Sequence, residues 1–213
     1  MLLHLGTFDR GVKIPGRKNL SSGKPIAVCP PPDRLYISLA QHIGKPAQPL
    51  VKKGDYVKKG QLIGQADGFV SANIYSGVSG TVSAVSNLVT VGGVKPFVII
   101  DNDFKYEEVT LDKIDVKGGA AVIARVKEAG IVGLGGAGFP THVKLSPQNE
   151  VDVLLINCAE CEPYLTCDAR VMLELTNEVV EGAKIIANAL KVKRIIFGIE
   201  ENKPECIAKI SAF

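Results

Sequence analysis

The sequence lacks tryptophan, holds only five cysteines, and has no apolar run near the roughly 18 residues that a membrane helix needs. Five cysteines are too few for a disulfide scaffold, and the odd number favours a reduced, cytoplasmic protein. A net charge of +3 is too small to predict binding to nucleic acid. The start, MLLHLGTFDRG, has neither the charged segment nor the cleavage site of a signal peptide. What remains is an ordinary globular composition, with 46% hydrophobic residues.

Three regions of different composition follow one another along the chain. Residues 1–32 are rich in glycine, proline, lysine and serine, which is typical of an extended arm. Residues 33–110 hold short segments of alternating apolar residues between Gly-Asp and Lys-Gly turns, which predicts β-strands. Residues 111–213 alternate helical and strand-like segments, which is typical of an α/β domain with a parallel sheet. We therefore predict a two-part α+β chain.

The elements of the third region are predicted from local patterns. AAVIARVKEAG predicts a helix with one apolar face that ends at Gly130. VDVLLIN and KRIIFGIE predict strands buried on both faces, with one long helix between them over residues 168–190, capped by Thr166 or Asp168. Another helix should begin at Pro204. Two strands are few for an open sheet, so we expect a Rossmann-like domain that is truncated at its carboxyl end in this sequence.

Part of the β region resembles the half-motifs of biotinyl and lipoyl carrier domains. VKKGDYVKKGQLIGQ is similar to the first half and SGVSGTVSAV to the second. The resemblance implies a barrel-sandwich hybrid, which is a flattened β-sandwich with quasi-twofold symmetry. In the carriers, a lysine on the hairpin between the halves takes the cofactor, but Gly68 and Phe69 stand there in this chain. Since Phe69 has no amine to acylate, we predict the carrier fold without the carrier chemistry.

The densest glycine cluster lies in AGIVGLGGAGFPTHVK, residues 129–144. Backbone without Cβ atoms can approach a flat or anionic ligand closely. The cluster lacks both the strand–turn–helix context of the G-x-G-x-x-G fingerprint and the Gly-Lys-Ser/Thr ending of a Walker loop. A helix cap and a tight turn would explain one or two glycines, but four occur within six positions. We therefore predict a backbone cradle for a phosphorylated ring, with Lys144 neutralising the phosphate.

A second candidate segment, NCAECEPYLTCD, follows the VDVLLI run. Because it comes after a strand, we expect it at the carboxyl edge of the sheet, where ligands bind in open α/β folds. Asn157 can donate to and accept from a heteroaromatic edge, and Glu160 and Glu162 suit sugar hydroxyls or a carboxamide. A solvated acidic loop is the alternative, which the glycine cluster nearby in the sequence weakens.

Cysteine spacing gives little support for a metal in the same segment. Cys158, Cys161 and Cys167 have the spacing C-x2-C-x5-C, whereas an iron–sulfur cluster usually needs four ligands at other spacings. A zinc site would need a fourth ligand such as His142. The three histidines are too scattered to predict a catalytic triad. We predict no metal site and no catalytic side chain.

Together these stretches resemble a known family. GIVGLGGAGFPTHVKLSP and NCAECEPYLTCD are similar to the flavin-binding core of the RnfC subunit of the Rnf complex, a membrane-associated, ion-translocating ferredoxin:NAD oxidoreductase. QHIGKPAQPLVKKGDYVKKGQLIG and SGVSGTVSAV are similar to that family's amino-terminal barrel-sandwich domain. A more distant resemblance is to the NADH- and FMN-binding flavoprotein of respiratory complex I, although Leu134 and Ala159 stand where that flavoprotein has arginine and aspartate.

The resemblance implies a set of cofactor-binding residues and a reaction. It implies NAD(H) contacts from Phe139 and Glu162. It implies FMN contacts from Gly133, Gly135, Gly136, Ala137, Gly138, Lys144, Asn157 and Glu160. The family exchanges hydride between NAD(H) and FMN and passes electrons to two [4Fe–4S] clusters, whose cysteine runs do not occur in this chain. We expect the chain on its own to be inactive.

The resemblance also implies partners and a location. The expected partners are NADH, the other Rnf subunits and, indirectly, ferredoxin, with no nucleic acid. The expected location is peripheral, on the cytoplasmic face of the bacterial cell membrane. Two other interpretations stay open. One is a flavoprotein that reduces cobalamin, since a related family shares the GAGFPTHVKL and AECEP segments, and the other is a scaffold whose β domain docks onto membrane partners.

Overall fold

The computed structural model describes residues 14–134 and 136–213, so residues 1–13 of the predicted arm and the predicted contact Gly135 lie outside the described residues. The described chain divides into two compact units. The larger unit comprises residues 29–154 and 184–195, and the smaller unit comprises residues 14–28, 155–183 and 196–213. The boundary that composition predicts near residue 110 stays a prediction.

Seven antiparallel strands build most of the larger unit, as the alternating pattern predicts. They are β1 (Arg34–Ser38), β2 (Gln48–Pro49), β3 (Tyr56–Val57), β4 (Leu62–Gln65), β5 (Ile74–Tyr75), β6 (Gly80–Thr90) and β7 (Gly93–Asn102). One sheet has the order β1-β7-β6-β3 and a second has the order β2-β4-β5. The long β6–β7 hairpin carries a bulge between Val82 and Ala84, where the register shifts by one residue.

The two sheets share one apolar core. Side chains from both sheets point into it, so each sheet covers the apolar face of the other. Burying each such side chain stabilises the fold by about 1.5–3 kcal/mol. The fully buried members are Leu39, Val57, Ile63, Val82, Val98 and Ile100. Phe69 lies outside this core, in the turn between β4 and β5 and 74% exposed, next to Gly68 at φ +113°.

Helices and strands alternate after the β region, which confirms that part of the prediction. The elements are α1 (Gly119–Glu128), α2 (Thr141–Lys144), β8 (Val153–Asn157), α3 (Cys167–Glu174), α4 (Thr176–Leu190), β9 (Arg194–Gly198) and α5 (Pro204–Ser211). Gly130 ends the first helix at φ +65°, and Pro204 begins the last. No helix among the described residues combines the length and the hydrophobicity needed to cross a bilayer.

The long helix predicted over residues 168–190 is two helices, so that prediction was wrong. The break lies at Leu175, whose backbone leaves the helical region at φ −123° and ψ 38°. The buried hydroxyl of Thr176 donates to the carbonyl oxygen of Met172 at 2.6 Å. In a continuous helix the backbone N–H of Thr176 would donate to that oxygen, so the side chain replaces the missing bond.

Strands β8 and β9 pair with each other, but they are not buried on both faces as predicted. Within the smaller unit, Ile156 and Phe197 pack against the cluster around Met172, whereas Leu155 is 66% exposed. Ile196 of β9 is 44% exposed as well, so alternate side chains of the pair face solvent. A pair of strands does not define the strand order of a Rossmann-like sheet, which stays a prediction.

Candidate functional site

The glycine loop, residues 133–139, is closed at its neck by backbone hydrogen bonds. The N–H of Gly133 donates to the carbonyl of Phe139, and that of Thr141 donates to the carbonyl of Ile131, both at 2.9 Å. An isolated antiparallel bridge joins Val132 and Pro140 between these two bonds. The neck therefore holds the ends of the loop together and leaves its tip, Leu134 with 93% exposure, in solvent.

The described glycines of this loop differ in what the fold demands of them. Gly138 has φ +65°, and a Cβ there would lie 2.6 Å from the carbonyl oxygen of Gln41 and 2.9 Å from the Cα of His42. At Gly133 a Cβ would meet nothing closer than 3.8 Å, and at Gly136 nothing within 4 Å. The fold therefore requires glycine at position 138 but not at positions 133 and 136, where bare backbone remains open to a ligand.

Phe139 and Lys144 face each other across the short helix that follows the loop. Lys144 is the last residue of α2, and its Nζ lies 5.7 Å from the centroid of the Phe139 ring. Lys144 is exposed and Phe139 is half-buried, so the pair offers a cation and part of an aromatic face. Ala137 lies exposed between them and the open glycines. These residues form one continuous segment of the sequence, and the structure adds the contact between the Lys144 ammonium and the Phe139 ring.

Two side chains that sequence reasoning missed anchor the stem of the glycine loop. Asn73 Nδ2 donates to the carbonyl oxygen of Glu128 at 2.9 Å, and the Tyr75 hydroxyl donates to the same oxygen. A Cβ on Gly130 would collide with the carbonyl oxygen of Asn73. These contacts satisfy the carboxyl end of α1 from β5 and the residue before it, more than 50 residues away, so no local pattern could have revealed them.

The acidic loop, residues 157–163, lies at the carboxyl end of β8, where it was predicted, and belongs to the smaller unit. Its central acid, Glu160, is buried with 3% exposure. Oε1 of Glu160 accepts the backbone N–H of Asp168 at 2.6 Å, and Oε2 accepts Lys203 Nζ at 2.6 Å. Thr166 occupies the cap position of α3 without a side-chain cap bond, so the cap comes from Glu160 instead.

The charges around Glu160 shift the pKa values of its neighbours. Burial alone would lower the pKa of Lys203, but hydrogen bonds and charge attraction from Glu160 and Glu200 outweigh burial and raise it. The hydrogen bond from Lys203, at 2.7 Å, lowers the pKa of Glu200. Burial and then the charge of Glu160 raise the pKa of Asp168. The Glu160–Lys203 pair is therefore a buried ion pair at the base of the acidic loop.

The other predicted groups of the acidic loop are exposed. Asn157 accepts the N–H of Ala159 at 3.1 Å through Oδ1, and Glu162 lies at the surface. Within the described part of the chain, the one group of three potential metal ligands is Glu160, Cys167 and Asp168, with Cys158 and Cys161 outside it. Since Glu160 already accepts from Lys203 and a backbone N–H, this cluster gives no basis for a metal site.

Within the smaller unit, residues 14–28 of the arm contact the acidic loop and the residues that directly follow it. Lys18 Nζ donates to the carbonyl oxygens of Glu160 and Leu165, the latter at 3.1 Å. The N–H of Tyr164 donates to the carbonyl of Gly16 at 2.7 Å. A cavity of about 360 Å³ lies beside these contacts and is lined by Lys18, Asn19, Thr166, Ala169, Lys203 and Cys206, among others.

Comparisons with known proteins match almost the whole chain. The model of the RnfC barrel-sandwich hybrid domain matches residues 6–105, and that of the Nuo51 FMN-binding domain matches residues 126–213. The first match confirms the predicted β fold, and together the matches confirm the two resemblances drawn from the sequence.

Curated relatives share the same region. The RnfC subunit of the proton-translocating ferredoxin:NAD(+) oxidoreductase complex of Clostridium ljungdahlii is 45% identical over 95% of this chain and 46% of its own length. The Na(+)-translocating counterpart of Acetobacterium woodii is 38% identical over 95% of this chain and 47% of its own length. The corresponding protein of the ion-translocating oxidoreductase complex of Serratia proteamaculans is 40% identical over 95% of this chain and 30% of its own length. The chain thus spans about half or less of the length of these relatives.

Proposed function

Because this is an RnfC-family sequence that corresponds to the amino-terminal part of its relatives, we propose that it forms the FMN-binding part of an electron-transfer subunit. The observation that carries the proposal is the open backbone at Gly133 and Gly136, where internal packing would tolerate a side chain. Such positions suit a loop over which a planar, phosphorylated ring lies, because a Cβ would fill the space of the ligand.

The residues of the glycine loop fit the chemistry of FMN. Backbone at Gly133, Gly136 and Ala137 would lie against the flavin, and the exposed ammonium of Lys144 would bind its phosphate. The Phe139 ring, already beside that ammonium, offers a stacking surface for NAD(H). When bound, FMN supplies the two-electron acceptance and one-electron release that no side chain of this chain provides.

The acidic loop would contribute in two ways. Asn157 and Glu162 are exposed and available to hydrogen-bond with FMN and NAD(H), respectively. Glu160 has both carboxylate oxygens engaged inside the protein, so we propose that it acts by holding the loop rather than by its charge. Under this proposal the exposed side chains of Asn157 and Glu162, rather than the Glu160 carboxylate, would bind ligand.

The names of the relatives support a role within a larger complex. We propose that the chain exchanges hydride between NAD(H) and FMN and passes electrons toward [4Fe–4S] clusters outside it, as part of an ion-translocating ferredoxin:NAD oxidoreductase complex. Its partners would be the other subunits and, through them, ferredoxin. Its location would be peripheral, on the cytoplasmic face of the membrane.

The direct test is titration of the chain with FMN, followed by quenching of flavin fluorescence. Lys144→Ala should weaken FMN binding by about 10- to 100-fold, the loss of one charge-assisted contact with phosphate. Lys113→Ala removes an exposed cation elsewhere in the same unit and should leave the affinity unchanged. Equal affinities for the two variants, or no quenching by the unaltered chain, would overturn the proposal.

A further inference from the structure

Two turns of the β region contact the glycine loop and the end of α1, which precedes it. In the first, residues 41–44, the N–H of Ile43 donates to the carbonyl of Gly138 at 3.4 Å, and the carbonyl of Gln41 fills the place of a Cβ on Gly138. In the second, residues 66–73, Asn73 bonds the carboxyl end of α1. A cavity of about 150 Å³ is lined by residues of both turns and of the following segment, namely Gln41, His42, Asn73, Tyr75, Gly130 and Val132, among others.

His42 joins the two turns to each other. Its ring is buried, with 7% exposure. Nε2 accepts the backbone N–H of Ala72 at 3.2 Å, which assigns the ring proton to Nδ1, and Nδ1 donates to the carbonyl of Ile43 at 3.0 Å. The ring therefore bonds one turn through each nitrogen, and both turns touch the segment that carries the glycine loop.

We propose that His42 is a positioning residue for the glycine loop, because it fixes the position of Gly138 and thereby that of the backbone at Gly133 and Gly136. The inference rests on the proposed FMN-binding function, but His42 itself need not touch FMN. Its ring anchors the first turn to Ala72 of the second, and its chain neighbours Gln41 and Ile43 contact Gly138 directly. The barrel-sandwich region would then support the glycine loop. In carrier domains the corresponding hairpin bears the cofactor itself.

Two conservative variants separate the two bonds of the ring. In His42→Gln, the amide oxygen can replace Nε2 as acceptor for Ala72, so the link between the turns is kept. In His42→Asn, the shorter amide can replace Nδ1 as donor to Ile43, but the N–H of Ala72 is left unpaired. Positioning through the link predicts that Asn weakens FMN binding about tenfold, a difference of about 1.4 kcal/mol, and that Gln restores it.

Two measurements on the full chain distinguish positioning from a general loss of stability. The first is the FMN dissociation constant, and the second is amide hydrogen exchange at Gly133 and Thr141 without FMN, which reports the neck of the loop directly. Ile63→Val, in the core of the same unit, serves as a control with a modest loss of melting temperature. It should leave the dissociation constant and the neck exchange at their original values.

The outcomes divide cleanly. Weaker FMN binding and faster neck exchange in His42→Asn, with both restored in His42→Gln, support the proposal. If His42→Asn behaves like Ile63→Val, or if His42→Gln is as impaired as His42→Asn, the proposal is overturned. If the neck exchange follows the predicted pattern while the unaltered chain binds no FMN, His42 positions the loop and the FMN-binding function is what fails.

Discussion

The glycine loop and the acidic loop are both prominent in the sequence, but the fold uses them in opposite ways. In the glycine loop, a Cβ on Gly133 would meet nothing closer than 3.8 Å and one on Gly136 nothing within 4 Å, so internal packing does not require glycine at either position. In the acidic loop, the most conspicuous charge, Glu160, is buried and bonded on both oxygens. The most conspicuous acid is thus used to hold the fold, whereas the glycines at positions 133 and 136 are not required by it.

The largest test of this contrast removes the partner of Glu160. Lys203→Met should destabilise the smaller unit by about 3–5 kcal/mol, because the Glu160 carboxylate, which caps α3, would stay buried without a compensating charge. Lys193→Met breaks an ion pair with Asp152 whose side chains are about four-fifths exposed, and should cost at most about 1 kcal/mol. Urea unfolding followed by circular dichroism measures both, and similar losses would show that Glu160 is not structural.

A pair of glycine substitutions sharpens the other half of the contrast. Gly138→Ala should destabilise the larger unit by about 1–3 kcal/mol, because of its positive φ and the collision with Gln41. Gly136→Ala should change the free energy of unfolding by less than about 0.5 kcal/mol and still weaken FMN binding. Thermal unfolding and FMN titration together check the pattern. Normal FMN binding by Gly136→Ala would mean that its open backbone has no ligand.

The smallest expected effect is a pH dependence that originates beside the glycine loop. Burial, and then the charge of Lys127, lower the pKa of His142, and a hydrogen bond with the Phe69 backbone only partly offsets them. As the pH falls, the unfolded chain protonates His142 before the folded chain does. The contribution of His142 to stability is therefore fully present above pH 6.5, the ordinary histidine pKa, and is lost as the pH drops below it.

The matched variant for this pH effect is His142→Asn. Urea midpoints between pH 8 and pH 5 should fall less steeply in His142→Asn than in the unaltered chain. Glu200, beside the acidic loop, has a lowered pKa, so the stability that it contributes is lost only below about pH 4.5. The two regions should therefore lose stability in separate pH ranges. Parallel curves for the variant and the unaltered chain between pH 6.5 and 5 would remove His142 as the cause.

Much of the local structure was predictable because local chemistry dictates it. Gly130 ends α1 through a backbone conformation that glycine adopts readily, and Pro204 begins α5 where its missing N–H costs nothing. The position of Phe69 at an exposed hairpin tip also followed from the half-motif resemblance. In contrast, the helix break at Leu175 depends on one hydroxyl of Thr176 that competes with the backbone, which periodicity does not register.

The candidate site was predictable only as a set of residues. Bare backbone, a cation at Lys144 and a polar loop after β8 could be predicted from residue patterns alone, because glycine density and strand patterns are local properties. Which of the side chains stay exposed depends on the fold instead. It buried Glu160 against Lys203 and set Gly138 against the turn held by His42, because ion pairing and close packing join residues far apart in the chain.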